Sequence, residues 1–196
     1  MNISCQNLLK ETLSELVPFS QTDFDMAIKY FTFHTHMPKD YIFHRGDLVR
    51  DVYFVIDGIG RYFYIDEEGN ERNKSLVRTG GAFASLSTLV EDCPSPFFAQ
   101  AITQCSTASI KYDCLIELSR ENYNWGEFLR KIYERLVLKK EKREAGFLLL
   151  TAKERYEQFL NEFGDEGRKI PLRQVAMYIG VTDVTVSRIR REMGLT

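Results

Sequence analysis

Three sets of side chains in this sequence are of types that do chemistry, and their spacing decides which chemistry is open to them. His34, His36 and His44 lie close together. An H-x-H on a strand would put two imidazoles on one face, which is the start of a metal site. No carboxylate or cysteine at a recognisable ligand spacing completes that set, so neither metal nor cofactor is expected. The cysteines Cys5, Cys93, Cys105 and Cys114 show no C-x-x-C or Cys/His spacing. That argues against zinc and iron–sulfur sites and leaves reduced thiols. The third set lies near the C-terminus, where residues 172–191 read LRQVAMYIGVTDVTVSRIRR. Here Thr185 and Arg188 fall opposite Val186 and Ile189, with Arg190 and Arg191 following. Polar and basic groups so disposed on one helix suit the edges of bases in a DNA major groove.

The elements that would position this third set can be read from apolar spacing and turn residues. Val175, Ala176 and Ile179 share one side of a first short helix, and Gly180 permits a left-handed turn. Thr182 can cap a second helix whose Val186 and Ile189 face back onto the first. Ala176 is the small residue that two closely crossing helices need. This is the helix-turn-helix pattern; the alternative is a helical hairpin that only packs a core.

Upstream, Leu8, Leu9, Leu13 and Leu16 carry helical spacing, followed by Phe24, Ile28 and Phe31 behind Ser20 or Thr22 as an N-cap. From Tyr41 the period changes to short β-branched and aromatic runs divided by Gly46, Gly58, Gly69 and Gly80-Gly81. Such runs predict an antiparallel jelly roll. Helical spacing returns with Trp125, Phe128, Leu129, Ile132 and Leu136, a stripe that we read as a symmetric coiled-coil dimer interface. Gly146 interrupts it, and Thr151-Ala-Lys-Glu154 is a capping box that starts the next helix. The fold class is therefore α+β, in three parts. Residues 1–121 form a sensor-like barrel with N-terminal helices, 122–148 a dimerisation helix, and 149–196 a winged-helix-like helix-turn-helix unit.

Net charge is −2, unevenly spread. From Arg168 onward six basic residues face two acidic ones, which makes that segment +4 and the rest −6. A basic tail on an acidic body suits a polyanionic partner. No apolar run reaches the roughly 18 residues of a membrane span, and charges interrupt the N-terminus, so a cytoplasmic protein is expected.

The strings RGDLVRDVYFVIDGIGRYFYIDEEGNE, LTAKERYEQFLNEF and IPLRQVAMYIGVTDVTVSRIRR, in this order, resemble the Crp/Fnr family of bacterial transcription regulators, and more narrowly its Bacteroidetes type. The resemblance implies a non-enzymatic homodimer on a palindromic double-stranded DNA site, working with RNA polymerase. Its recognition helices would enter major grooves about one helical turn apart. Asp183, Val184 and Arg188 fall where the family reads bases, and Thr182 and Thr185 where it touches phosphates. Arg173, Ser187 and Arg191 complete the expected DNA-contacting set. Val184 departs from the pattern, which commonly has glutamate there, so a different half-site is implied.

The cyclic-nucleotide branch of the family carries a glutamate for the ribose and an arginine for the phosphate. Here GAFASL puts Ala84 and Ser85 where Gly-Glu would stand, and Ser95-Pro96-Phe97 lies near the arginine position. Indeed Thr79 to Ile110 contains no lysine, arginine or histidine. A buried phosphate without a cation is costly, so cyclic AMP is not the expected ligand. An unidentified effector in a pocket of Phe83, Ala84, Ser85, Leu86, Phe97 and Phe98 near Trp125 is the reading preferred over a dry core or a protein partner. Two rival functions are a cupin-like metal enzyme using the three histidines with Asp47, and a nucleotide-sensor module that binds no DNA. The first leaves the helix-turn-helix unexplained, and the second lacks the phosphate arginine.

Overall fold

Polar side-chain caps set the starts of some of the helices around the barrel. The computed structural model describes residues 3–195. After α1 (Ile3–Ser14), Ser20 and Asp23 form a reciprocal capping box that opens α2 (Gln21–Ile28). The Asp23 carboxylate also accepts from Asn122 Nδ2 at 2.7 Å and Asn124 Nδ2 at 2.8 Å. Hydrogen bonds from Ser20, Asn122 and Asn124 hold its pKa down at about 2.

Two four-stranded antiparallel sheets follow, of order β1-β8-β3-β6 and β2-β7-β4-β5. Their strands are β1 (Thr32–His36), β2 (Tyr41–Phe43), β3 (Asp51–Asp57), β4 (Ile59–Ile65), β5 (Glu71–Arg78), β6 (Ala82–Phe83), β7 (Phe98–Ala101) and β8 (Cys105–Lys111). A short helix α3 (Leu86–Glu91) lies between β6 and β7. The first strand starts at Thr32, ahead of the change of period at Tyr41, because its pairing partner β8 is distant in sequence. The inner faces enclose Phe43, Val49, Val55, Val77, Phe83, Phe97 and Ala99.

Helix α4 (Tyr112–Glu121) leads into α5 (Tyr123–Leu149), whose N-cap Asn122 accepts from the Trp125 N–H. Here one expectation is corrected. Trp125 and Phe128 are 0% and 1% exposed, in a core with Phe19, Phe31 and Phe54, and Leu129 and Ile132 pack against that same core. Trp125 and Phe128 face their own barrel and so are not available to a second copy, while Leu129 and Ile132 are half-buried. Leu136 is half-buried. The helix continues through Gly146 to Leu149, with the Leu150 N–H bonded to the Gly146 carbonyl. A Cβ on Gly146 would lie 3.3 Å from Gln158 Oε1, so close packing outweighs its low helix propensity.

Thr151 and Glu154 form the capping box of α6 (Ala152–Phe163). A 3-10 helix (Gly164–Lys169) then leads to α7 (Leu172–Ile179) and α8 (Asp183–Glu192), with no strand after β8 among the described residues. Their core joins Tyr156, Phe159, Phe163, Val175, Ala176, Ile179, Val186 and Ile189 to Ile59 and Leu76 of the barrel. No helix among the described residues is long and apolar enough to cross a membrane.

Candidate DNA-reading face and barrel interior

The turn between α7 and α8 depends on Gly180, which has φ +75° and whose added Cβ would lie 2.6 Å from the Phe147 ring. A side chain there would meet both backbone strain and α5. The Ala176 carbonyl accepts from the Gly180 and Val181 N–H groups, which closes the end of α7. Arg155 pins the junction by donating to the Ile179 carbonyl at 2.9 Å and to the Leu150 carbonyl. Thr182 caps α8, accepting from the Thr185 N–H at 3.2 Å and sharing a hydroxyl bond with Thr185.

With that frame closed, the outward side of α8 is left free. Val184 is 75% exposed, and Asp183, Arg188 and Arg191 are exposed with it. Arg188 has only a 3.9 Å ion pair with Glu192, in solvent, where such pairs are worth little. Thr185 and Ser187 are half-buried at the edges of the face, and Arg173 is exposed on α7. Arg190, by contrast, turns back to the Leu195 carbonyl at 3.1 Å.

The barrel interior has closed on itself. Tyr62 crosses it, within 5.2 Å of the Phe83 ring and 5.1 Å of the Phe97 ring. Its hydroxyl accepts from the Ala84 N–H at 2.6 Å and is also bonded to the Ala82 and Ala84 carbonyls. Burial pushes this phenol upward, so it stays neutral at any physiological pH. Of the residues expected to form one pocket, Phe83 and Phe97 share this interior, and Ala84 and Leu86 are half-buried at the cassette. Phe98 faces the other side of its sheet and stacks on Phe63 at 5.0 Å. Trp125 belongs to the separate core under α5. The expected single pocket is thus divided, because adjacent strand residues point to opposite faces.

A polar seam joins the two halves of the molecule, and the sequence reading missed it. Arg61, 4% exposed, pairs with Glu71 at 2.6 Å and donates to Gln100, Asn73 and Gln174. Asn73 Nδ2 donates in turn to the Gln174 carbonyl and side chain, both at 2.9 Å. Gln174 is on α7, so the first helix of the helix-turn-helix is docked on β4 and β5. An arginine within the RYFYI run was the available signal, since a charge in an aromatic strand has to find a partner.

His34 and His36 stack side by side on β1, ring centroids 6.1 Å apart, and His44 does not join them. His34 Nε2 meets Ser109 Oγ at 2.8 Å and His36 Nε2 meets Thr107 Oγ1 at 3.1 Å. His44 follows β2 in the other sheet, stacked on Tyr41. Among the described residues no group of three or more His, Cys, Asp or Glu could hold a metal ion.

Comparison with known proteins agrees with this architecture. Residues 33–122 match the cyclic nucleotide-binding domain. The cAMP-activated global transcriptional regulator CRP of Salmonella typhimurium is 26% identical over 102 residues, which is 50% of this chain and 49% of that protein. The fumarate and nitrate reduction regulatory protein of Yersinia pestis is 27% identical over 165 residues, covering 76% of this chain and 63% of the other. The chain thus spans about half the length of the first of these relatives. Among solved structures, FixK2 from Bradyrhizobium japonicum superposes with a TM-score of 0.71 at 21% identity, covering 84% of each chain. A CooA mutant from Carboxydothermus hydrogenoformans gives 0.72 at 17%, covering 93% of this chain and 85% of that one.

Proposed function

We propose that this chain, a member of the Crp/Fnr family, is a homodimeric, sequence-specific DNA-binding transcription regulator with no catalytic role. The observation that carries the reading is the face of α8. A helix-turn-helix whose second helix is capped by Thr182 holds Asp183, Val184 and Arg188 outward with little to engage them. Arg188 can bond a guanine O6 and N7 together, and Val184 can touch a thymine methyl but accepts nothing from a cytosine amino group. The half-site should therefore differ from one read through a glutamate at that position.

Dimerisation moves along α5 from where the sequence suggested it. Val137 and Leu138 are 60% and 51% exposed, and with Tyr133 they form an apolar patch bordered by Arg130 and Glu134. A two-fold contact would lay this patch on its own copy. Sedimentation of the wild type and of Val137→Glu tests it: the variant should be monomeric, and an unchanged dimer would place the interface elsewhere.

In the barrel we infer an effector other than cyclic AMP. Tyr62 occupies the Ala84 N–H, and no cationic side chain lies between Thr79 and Ile110 to balance a cyclic phosphate. Selection of bound fragments from genomic DNA, followed by retardation assays with Arg188→Ala, tests the central reading. The variant should keep weak, salt-sensitive binding and lose sequence preference. Failure of the wild type to retard any DNA at low salt would overturn the proposal.

A further inference from the structure

The barrel does hold a cation, although not in the segment where its family carries one. Lys74 on β5 extends its ammonium over the Phe97 ring, 3.4 Å from the centroid, with the Tyr62 and Tyr64 rings at 5.4 and 6.0 Å. No hydrogen bond or ion pair reaches it among the described residues. Burial, with the like charge of Lys140 behind it, holds its pKa at about 8.

Its surroundings explain why it stays unpaired. Helix α5 runs along β5, with Lys139 Nζ bonded to the Leu76 carbonyl and Arg143 bonded to the Asn73 carbonyl. Lys139 is neutralised by Glu162, and Arg143 lies against the Tyr178 ring. Among the described residues no carboxylate pairs with Lys74 or Lys140. A barrel that served only as a packed core would gain from leucine or methionine at position 74, since an unpaired ammonium beside apolar rings costs free energy that cation–π contact only partly offsets.

A second polar group nearby also lacks a partner. Ser85 is 0% exposed, and its hydroxyl has no hydrogen-bond partner among the described residues. It adjoins Ala84, whose N–H is bonded to the hydroxyl end of Tyr62, while Lys74 lies beside the ring of that tyrosine. Unmet polar groups thus flank the side chain that fills the barrel.

We propose that the barrel takes a small aromatic anion, its charge held by Lys74 with Lys140 in support and its ring against Tyr64 and Phe97. This rests on the reading of the barrel as an effector site and supplies the chemical class of its ligand. Tyr64 is 39% exposed, so its ring is accessible from solvent. The anion would supply the acceptor that the protein withholds from Lys74, in a setting where a charge-assisted bond is strong.

Calorimetry on the full chain tests this with benzoate, phenyl phosphate, neutral benzamide and cyclic AMP. Benzoate or phenyl phosphate should bind the wild type and Lys74→Arg, and bind Lys74→Met about tenfold more weakly or worse. Lys140→Met should cost less, and benzamide should bind as weakly as the anions do to Lys74→Met. Thermal melting of Lys74→Met, expected to be no lower than wild type, shows that the variant is folded. Binding of the anions to Lys74→Met as tightly as to wild type overturns the proposal, as does binding of neither anion. In that case, equal benzamide binding to wild type and Lys74→Met would leave a neutral-effector reading standing. Micromolar cyclic AMP binding would overturn the effector reading itself.

Discussion

The outer face of α8 and the interior of the barrel, the two regions proposed above to meet a ligand, are built in opposite ways. On α8 the packing groups, Val186 and Ile189, are fully used, which leaves Arg188 and Val184 in solvent with almost nothing to satisfy them. In the barrel, Tyr62 satisfies the backbone of the cassette from within, and aromatic rings fill the space. The α8 face leaves its polar groups in solvent; the barrel engages its own from within. The contrast teaches that free hydrogen-bonding capacity, more than concavity, marks the prepared site.

The strongest way to break the comparison is to empty the barrel. Tyr62→Ala should cost about 3–5 kcal/mol of stability by leaving a cavity, whereas Tyr62→Phe should cost about 1–2 kcal/mol through the lost Ala84 bond. Urea denaturation separates the two, and a near-neutral Tyr62→Ala would mean that the interior is already loosely filled. On the other surface, Arg188→Ala should remove about 1–3 kcal/mol of base discrimination. It should leave the denaturation midpoint unchanged, because no core group touches it.

The seam between the two regions offers a smaller effect. Gln174→Ala deprives Arg61 and Asn73 of one acceptor each and should cost about 1–2 kcal/mol, read by denaturation, without altering sequence preference in DNA binding. The smallest effect is that of pH on Lys74, whose folded-state pKa of about 8 lies below the ordinary 10.5. The folded form binds this proton less tightly than the unfolded chain does. The resulting penalty is fully present below about pH 8 and is relieved as pH rises toward 10.5, a gain on the order of 1 kcal/mol after solvent screening. Lys74→Met should lose that rise and be more stable at neutral pH.

Local pattern made much of this molecule legible. The Ser20 and Thr151 capping residues, the strand runs after Tyr41 and the inward positions Val175, Ala176, Ile179, Val186 and Ile189 depend on periodicity and caps within a few residues. The candidate sites were less legible. Trp125 and Phe128 carry the same helical stripe whether they meet a second copy or their own barrel, and only the position of Phe19, Phe31 and Phe54 decides between these. Phe97, just ahead of β7, and Phe98, its first residue, are adjacent in sequence and both aromatic, yet they point to opposite sides of the sheet.

By itself, then, the sequence determined the order of parts, the helix-turn-helix with its outward Arg188, and the missing cations of the cassette, because each is a property of short spans or of composition. The tertiary structure alone decided that Tyr62 would plug the barrel, that Arg61 and Gln174 would join its two halves, and that Lys74 would stand unpaired above Phe97. Those pairings span 22 residues from Tyr62 to Ala84 and 113 from Arg61 to Gln174. No local periodicity encodes such distances; they follow from how two sheets and a long helix pack.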